Sequence, residues 1–486
     1  MAHKKNNARG RKKNNAPNSI YQKTSHQPSK KISLDFDFSE IEQSVRKKRL
    51  SSSYEVKRRS VQINFQDENL FGDDDAGQVD IELLKDFSLV RRDCKKFFDE
   101  KRKFITLNAP KGSGKTTMCR LLENELNDNK KGTAQWLTDS EISPSPKPTE
   151  DIVFHDWELR WANNISYAIL CKIVEHKDFI SDSDLMEIYH LMEKQGQVVK
   201  GGVKTIRENF QIPFIREQKT PNFPDLSFDE ILKRVDKKLK KKVWLFIDEV
   251  DQAFFNEKQS IFKVSGMLLA CRRLVRSLDN IVIRSTIRPN VLAVLESEID
   301  CIANIKDSIV KLDWPSLKIR SVIAKRVESY AIRSGQPLDT CVAEDDKENW
   351  LLSQILLNEE LFDLGSGNRQ PHVILSILGK NRPRWVLSLL KCAAENALDR
   401  NKSLISIDEI FAGMKDFGLD RIKNLASEFK PICPDIQKII TRFSSADSPL
   451  FYHNELIEYI REHITSRSKI SISGVSSNAT PTEIAN

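Results

Sequence analysis

The run Ala109-Pro110-Lys111-Gly112-Ser113-Gly114-Lys115-Thr116-Thr117 constrains the fold more than any other feature. It stands between an apolar pentapeptide, Phe104 to Asn108, and a helical pattern from Thr116 to Leu126. A strand that turns through glycines straight into a helix aims consecutive backbone N–H groups and the positive end of the helix dipole at one point. Such a nest suits phosphate oxygens, and small residues let the backbone approach them. In that arrangement Lys115 is expected to reach the β- and γ-phosphates of ATP, and Thr116 to coordinate Mg2+. Ala109 stands where the GxxxxGK[ST] pattern has its first glycine, and alanine resists a positive φ. The alternative is an ordinary strand–turn–helix junction.

A second, separate feature weakens that alternative. Val243-Trp-Leu-Phe-Ile-Asp-Glu-Val250 is an apolar strand that ends in two carboxylates. Asp248 is expected in the Mg2+ shell, as is the acid at the end of the neighbouring strand of P-loop NTPases. Glu249, directly after it, is placed to polarise an attacking water, which favours hydrolysis over transfer to a small acceptor. Asp251 takes a supporting role, beside the metal or at a helix start. Further on, Ile283-Arg-Ser-Thr-Ile-Arg-Pro289 ends another strand, and Ser285 or Thr286 is the candidate for sensing the γ-phosphate. Arg284 and Arg288 could touch phosphate or a neighbouring subunit, or be solvated. In Asn381-Arg-Pro-Arg-Trp385, Arg384 is aimed where a lid could meet the γ-phosphate, with a solvated or acid-paired arginine as the alternative.

Strands and helices alternate from about residue 80 to 310, which argues for a parallel sheet with helices on both faces. Beyond 310, amphipathic helices dominate (317–332, 350–357, 384–398), as in a helical second domain. Ser227 with Glu230, and Ser406 with Glu409, form capping-box patterns. Three prolines make 140–150 a loop. Trp157, Trp161 and Ile165 read as core, and Lys237–Lys242 as a solvated helix end. The expected division is a disordered arm, 1–78, an ATPase domain, 79–310, a lid, 311–400, a helical or winged-helix-like region, 401–465, and a disordered tail, 466–486.

Charge matters by position. Residues 1–60 hold 16 Lys/Arg and 5 Asp/Glu, whereas the whole chain is +8, so the other 426 residues carry −3. A uniformly basic DNA-binding body is thereby excluded. The arm suits nucleic acid or an acidic partner, or serves only as a solubilising tail, and the acidic stretch Asp67–Asp75 could fold back on it. No apolar run is long enough to span a membrane, and no apolar leader opens the sequence, so a cytoplasmic protein is expected. The eight scattered cysteines read as reduced and buried, and no His/Cys spacing suggests a metal beyond Mg2+.

With KGSGKTT, WLFIDEVDQ, IRSTIRP and NRPRW in this order, the chain resembles AAA+/STAND-like P-loop ATPases, and among them the KAP-like ATPases of bacterial anti-phage defence operons. The segment Asp307–Val327 resembles their passage from sheet to lid. The resemblance covers about 80–440 and implies an ASCE-type P-loop NTPase sheet, its two motif strands separated by another, then an α-helical lid and a C-terminal winged helix. It also implies ring or dimer assembly. Two functions follow: a regulatory or motor ATPase acting with nucleic acid or an effector protein, or a nucleotide-gated scaffold with little turnover.

Overall fold

The computed structural model describes residues 50–51, 61–72, 77–89, 94–128, 132–137, 153–175, 179–181, 184–185, 188, 227–252, 254, 256–336, 338, 344–357, 360–363, 368–430, 433–446, 451–472 and 478–485. All belong to the second of two compact units, 38–486. The arm before residue 50, the loop 140–150 and Cys341 lie outside the described residues.

Five parallel strands form the central sheet: β1 (Phe104–Asn108), β2 (Gly132–Leu137), β3 (Lys242–Ile247), β4 (Ile281–Ile287) and β5 (Ile309–Lys311). Their order across the sheet is β2-β3-β4-β1-β5, so β4 lies between the strands that end in Asn108 and Ile247. The two motif strands are thus separated by another, which is the strand order expected of an ASCE-type P-loop NTPase sheet. The helices are α1 (Ile81–Phe87), α2 (Lys115–Asp128), α3 (Phe154–Glu175), α4 (Phe228–Asp236), α5 (Lys258–Ser277), α6 (Pro289–Glu298), α7 (Ser316–Arg333), α8 (Glu344–Ser353), α9 (Pro371–Leu378), α10 (Pro383–Asp399), α11 (Ile407–Phe429), α12 (Ile436–Arg442) and α13 (His453–Ile460).

Strands covered on both faces read as unbroken apolar runs, and alternation then decides which core each residue enters. Along β3, Val243, Leu245 and Ile247 enter the core built with α3, α4 and α5. Trp244 and Phe246 enter the opposite core with α2. Trp157, Trp161 and Ile165 are buried in the first core, as expected. The second core runs without a break from α2 into α7, α9, α10 and α11, so the helical region shares its apolar interior with the sheet. Burial of this kind, at roughly 25 cal/mol per Å² of apolar surface, holds the helical region against the sheet. Both capping boxes are present: the Ser227 and Ser406 backbone N–H groups donate to Glu230 and Glu409 at 2.9 and 3.0 Å.

Several expectations are corrected. The ordered chain begins before residue 79: Val61, Leu70 and Phe71 are buried against the helical core, and Asn64 N–H donates to the Tyr330 hydroxyl at 3.1 Å. Five apolar residues spaced among polar ones between 61 and 71 suffice to strap this segment to α7. Strands continue past 310, since β5 reaches Lys311 and a hairpin joins Glu360–Asp363 to Asn368–Arg369, with Leu50–Ser51 pairing beside it. The tail from 466 is not apart from the fold: Ile470 and Ala479 are buried, and Ile470 joins Cys433, Ile439, Ile460 and Ile464 in a small third core. Between 401 and 465 the described residues contain helices and no strand, so that region is helical.

Candidate functional site

The glycine-containing turn works because its geometry is divided among its residues. Gly112 and Gly114 adopt φ of 82° and 87°, the left-handed region that glycine enters without strain. Ala109 is not among the positive-φ residues. It is fully buried and donates its N–H to Ile287 O at 3.1 Å, extending β1 by one residue. Position 109 therefore needs a small residue and no unusual backbone. Lys115 Nζ donates to the carbonyls of Ala109 and Pro110 at 2.9 and 3.3 Å.

Three separate segments meet at Asp248. Thr116 Oγ1 donates to Asp248 Oδ2 at 2.9 Å, and Thr286 Oγ1 donates to Asp248 Oδ1 at 2.5 Å. Alternation along β4 settles which hydroxyl faces the carboxylate, because Ser285 points to the other face and pairs with Thr106 at 2.8 Å. Glu249 follows at φ 62°, a backbone region that costs a residue other than glycine of order 1–3 kcal/mol. Its N–H donates to Asp248 Oδ1 at 3.0 Å, which holds the strained turn. The adjacent oxygens of Thr116 and Asp248 fit Mg2+, which keeps several waters and needs only one or two protein ligands beside phosphate.

Asp251 is buried and accepts Arg288 N–H at 2.6 Å. Burial raises its carboxyl above the usual carboxylate range, against the opposing pull of Arg288. Arg284 is not near phosphate. It is fully buried and donates to the carbonyls of Phe97, Asp99, Arg102 and Ile283 at 2.6 to 3.0 Å, with its guanidinium over Trp244 at 4.8 Å. It braces β4 from behind the site.

The helical region touches the turn directly. Arg384 N–H donates to Gly112 O at 3.1 Å, and the Trp314 indole donates to Ser113 O at 2.9 Å. Lys380 and Asn381, at φ 51° and 54°, turn the chain into α10 and so bring Arg384 to the loop. One cleft, with about 1000 Å³ of empty space, is lined by Lys111, Gly112, Gly114, Lys115, Thr116, Thr117, Asp248, Glu249, Asp251, Arg288 and Arg384. Pro110 and Ser113 are not among its lining residues, and Ser113 is buried.

Sequence reading missed the rest of the lining, Val79, Leu84, Phe87, Arg326 and Leu387. A signal for Arg326 existed: Ile319, Val322, Ile323, Val327 and Tyr330 form the buried stripe of α7, and Arg326 stands within it at helical spacing. Trp314 lay unremarked in the stretch between sheet and lid.

No protein-family profile matches the chain. It is 26% identical over 225 residues to a putative transposon gamma-delta 80.3 kDa protein of Escherichia coli strain K12, a match that takes in 45% of this chain and 29% of that protein. The chain therefore spans under a third of the length of this curated relative. Among solved structures it is similar to the Aeropyrum pernix ORC1 protein in complex with DNA, at 12% identity and TM-score 0.32, covering 76% of this chain and 70% of the other. It is also similar to the Thermotoga maritima RuvB Holliday junction branch migration motor, at 14% identity and TM-score 0.28, covering 81% and 91%. No helix among the described residues is long and apolar enough to cross a membrane.

Proposed function

We propose that the chain is a P-loop ATPase of the AAA+ type that binds ATP with Mg2+ and hydrolyses it. The supporting observation is the meeting of Thr116, Asp248 and Thr286, three residues from separate segments, through hydroxyl–carboxylate hydrogen bonds. In this reading the N–H groups from Gly112 to Thr117 cradle the phosphates, and Lys115 neutralises charge at their outer end. Thr116 and Asp248 hold Mg2+, which supplies charge stabilisation on the phosphate oxygens. Glu249 orients the attacking water and takes up its proton. Thr286 reports the γ-phosphate to Asp248, and Arg384 carries that state into the helical region through its contact with Gly112.

The KAP-like resemblance suggests a regulatory or motor cycle in anti-phage defence, with a nucleic acid or an effector protein as partner and a homo-oligomer as the working form. The basic arm supports the nucleic-acid partner, since each phosphate neutralised releases about one counterion. The test has two parts. Lys115→Ala should weaken ATP binding by about a hundredfold, measured by calorimetry, and deletion of residues 1–60 should flatten the salt dependence of DNA or RNA binding. Unchanged ATP binding by Lys115→Ala would sink the phosphate reading, and an unchanged salt slope would sink the arm's role. A scaffold with little turnover is the outcome if ATP binds but no phosphate is released.

A further inference from the structure

The wall of the cleft contains an arginine with a donor that no described residue accepts. Arg326 lines the cleft from α7, yet its Nε is buried and has no hydrogen-bond partner among the described residues. Its guanidinium lies 3.9 Å from the centroid of the Phe87 ring, and Val79 and Leu84 line the same wall. The surroundings are shaped to admit it. Gly72, at φ 75°, packs so closely that a Cβ there would come within 2.5 Å of an Arg326 terminal nitrogen and 2.8 Å of the Phe87 ring. Arginine offers only donors, and an unmet buried donor forfeits a large solvation energy, so an arginine lining a cleft beside apolar side chains calls for a ligand that presents acceptors.

We propose that Arg326 reads the base of the bound nucleotide by donating to a purine acceptor, with Phe87 and its apolar neighbours packing beside the ring. This inference rests on the phosphate reading of the same cleft and adds a reader of the base. Adenine presents N1, N3 and N7 as acceptors, and guanine adds O6 beside N7, the pair that suits an arginine fork. A donor-only reader cannot use the N6 amino group of adenine. GTP is therefore accepted at least as well as ATP, and selectivity is for purines.

Equilibrium binding of ATP, GTP, CTP and inorganic tripolyphosphate to the full chain tests this, with Arg326→Met and Arg326→Lys as variants. The lysine variant keeps a cation over Phe87 but lacks the Nε donor, so it separates folding from recognition. In both variants ATP and GTP should bind about tenfold or more weakly, while tripolyphosphate binding stays within about twofold. Equal loss for all ligands would make Arg326 a structural residue, and no loss for ATP or GTP would remove it from recognition; either overturns the proposal. So does CTP binding as tightly as ATP to the wild type. If the wild type binds neither ATP nor tripolyphosphate, the phosphate reading has failed and this proposal with it. If it binds both while the variants lose nothing, only the base reading has failed.

Discussion

Two arginines, one buried behind β4 and one in the wall of the cleft, show how the same side chain can serve opposite ends. Burial pushes both guanidinium groups down to about 9, against the ordinary 12.5. Arg284, behind β4, gives its donors to four backbone carbonyls and rests on Trp244. Arg326 rests on Phe87 in a similar way but keeps an unpartnered Nε at a cleft wall. Where all the acceptors are internal, a buried cation is architecture. Where a donor is left over in a cleft-lining residue, we assign its acceptor to the bound base.

That contrast can be broken first at Arg284. Replacing it by Met removes its four hydrogen bonds to backbone carbonyls, and we expect a loss of about 3–5 kcal/mol in urea denaturation. Arg326→Lys should lose far less. If the two variants lose equal stability, the division between architecture and recognition fails.

The next largest effect is expected at Lys115. Removing its charged donors should weaken ATP by about a hundredfold, measured by calorimetry, with little change in the urea midpoint. A change confined to stability would place Lys115 with Arg284.

Glu409, remote from the cleft, provides a control in which stability moves and binding does not. Burial pushes its carboxyl up, but Lys402 and the Ser406 hydroxyl and N–H outweigh burial and hold it at about 2, below the usual 4.5. A folded value below the unfolded one gives stability that is complete above pH 4.5 and lost as pH falls towards 2. Glu409→Gln should flatten that acid limb, cost about 2 kcal/mol at neutral pH, and leave nucleotide affinity unchanged. Loss of nucleotide affinity in this variant would show that stability alone moves binding.

Trp314→Phe removes one hydrogen bond to Ser113 O and should weaken ATP by about fivefold, near 1 kcal/mol. Glu249→Gly is the smallest effect: relief of the left-handed strain, less glycine's entropy, should stabilise the fold by about 0.5–1 kcal/mol while hydrolysis disappears.

How legible each end was follows from how it is built. The phosphate end is local: the nest is nine consecutive residues, and Asp248, Glu249 and Thr286 each end an apolar strand, a pattern that alternation makes readable. What sequence left open, Ser285 against Thr286, was a matter of strand parity, which needs the register with β1 and β3. Arg284 was misassigned because strand ends are where phosphate-binding residues sit, and only the packing of Phe97 and Trp244 makes that position interior. The base end comes from the strap ending at Gly72, from α1 and from α7, segments about 250 residues apart at the extremes. No local pattern joins them, and the strap's apolar residues were too few to stand out from a polar arm.

The most direct test is single-turnover hydrolysis of ATP by the wild type and by Glu249→Gln, with bound nucleotide quantified in the same samples. The account predicts that both chains bind ATP with affinities within about twofold, and that the variant releases phosphate at least about a hundredfold more slowly. Equal rates in the two chains, with ATP bound to both, would contradict it.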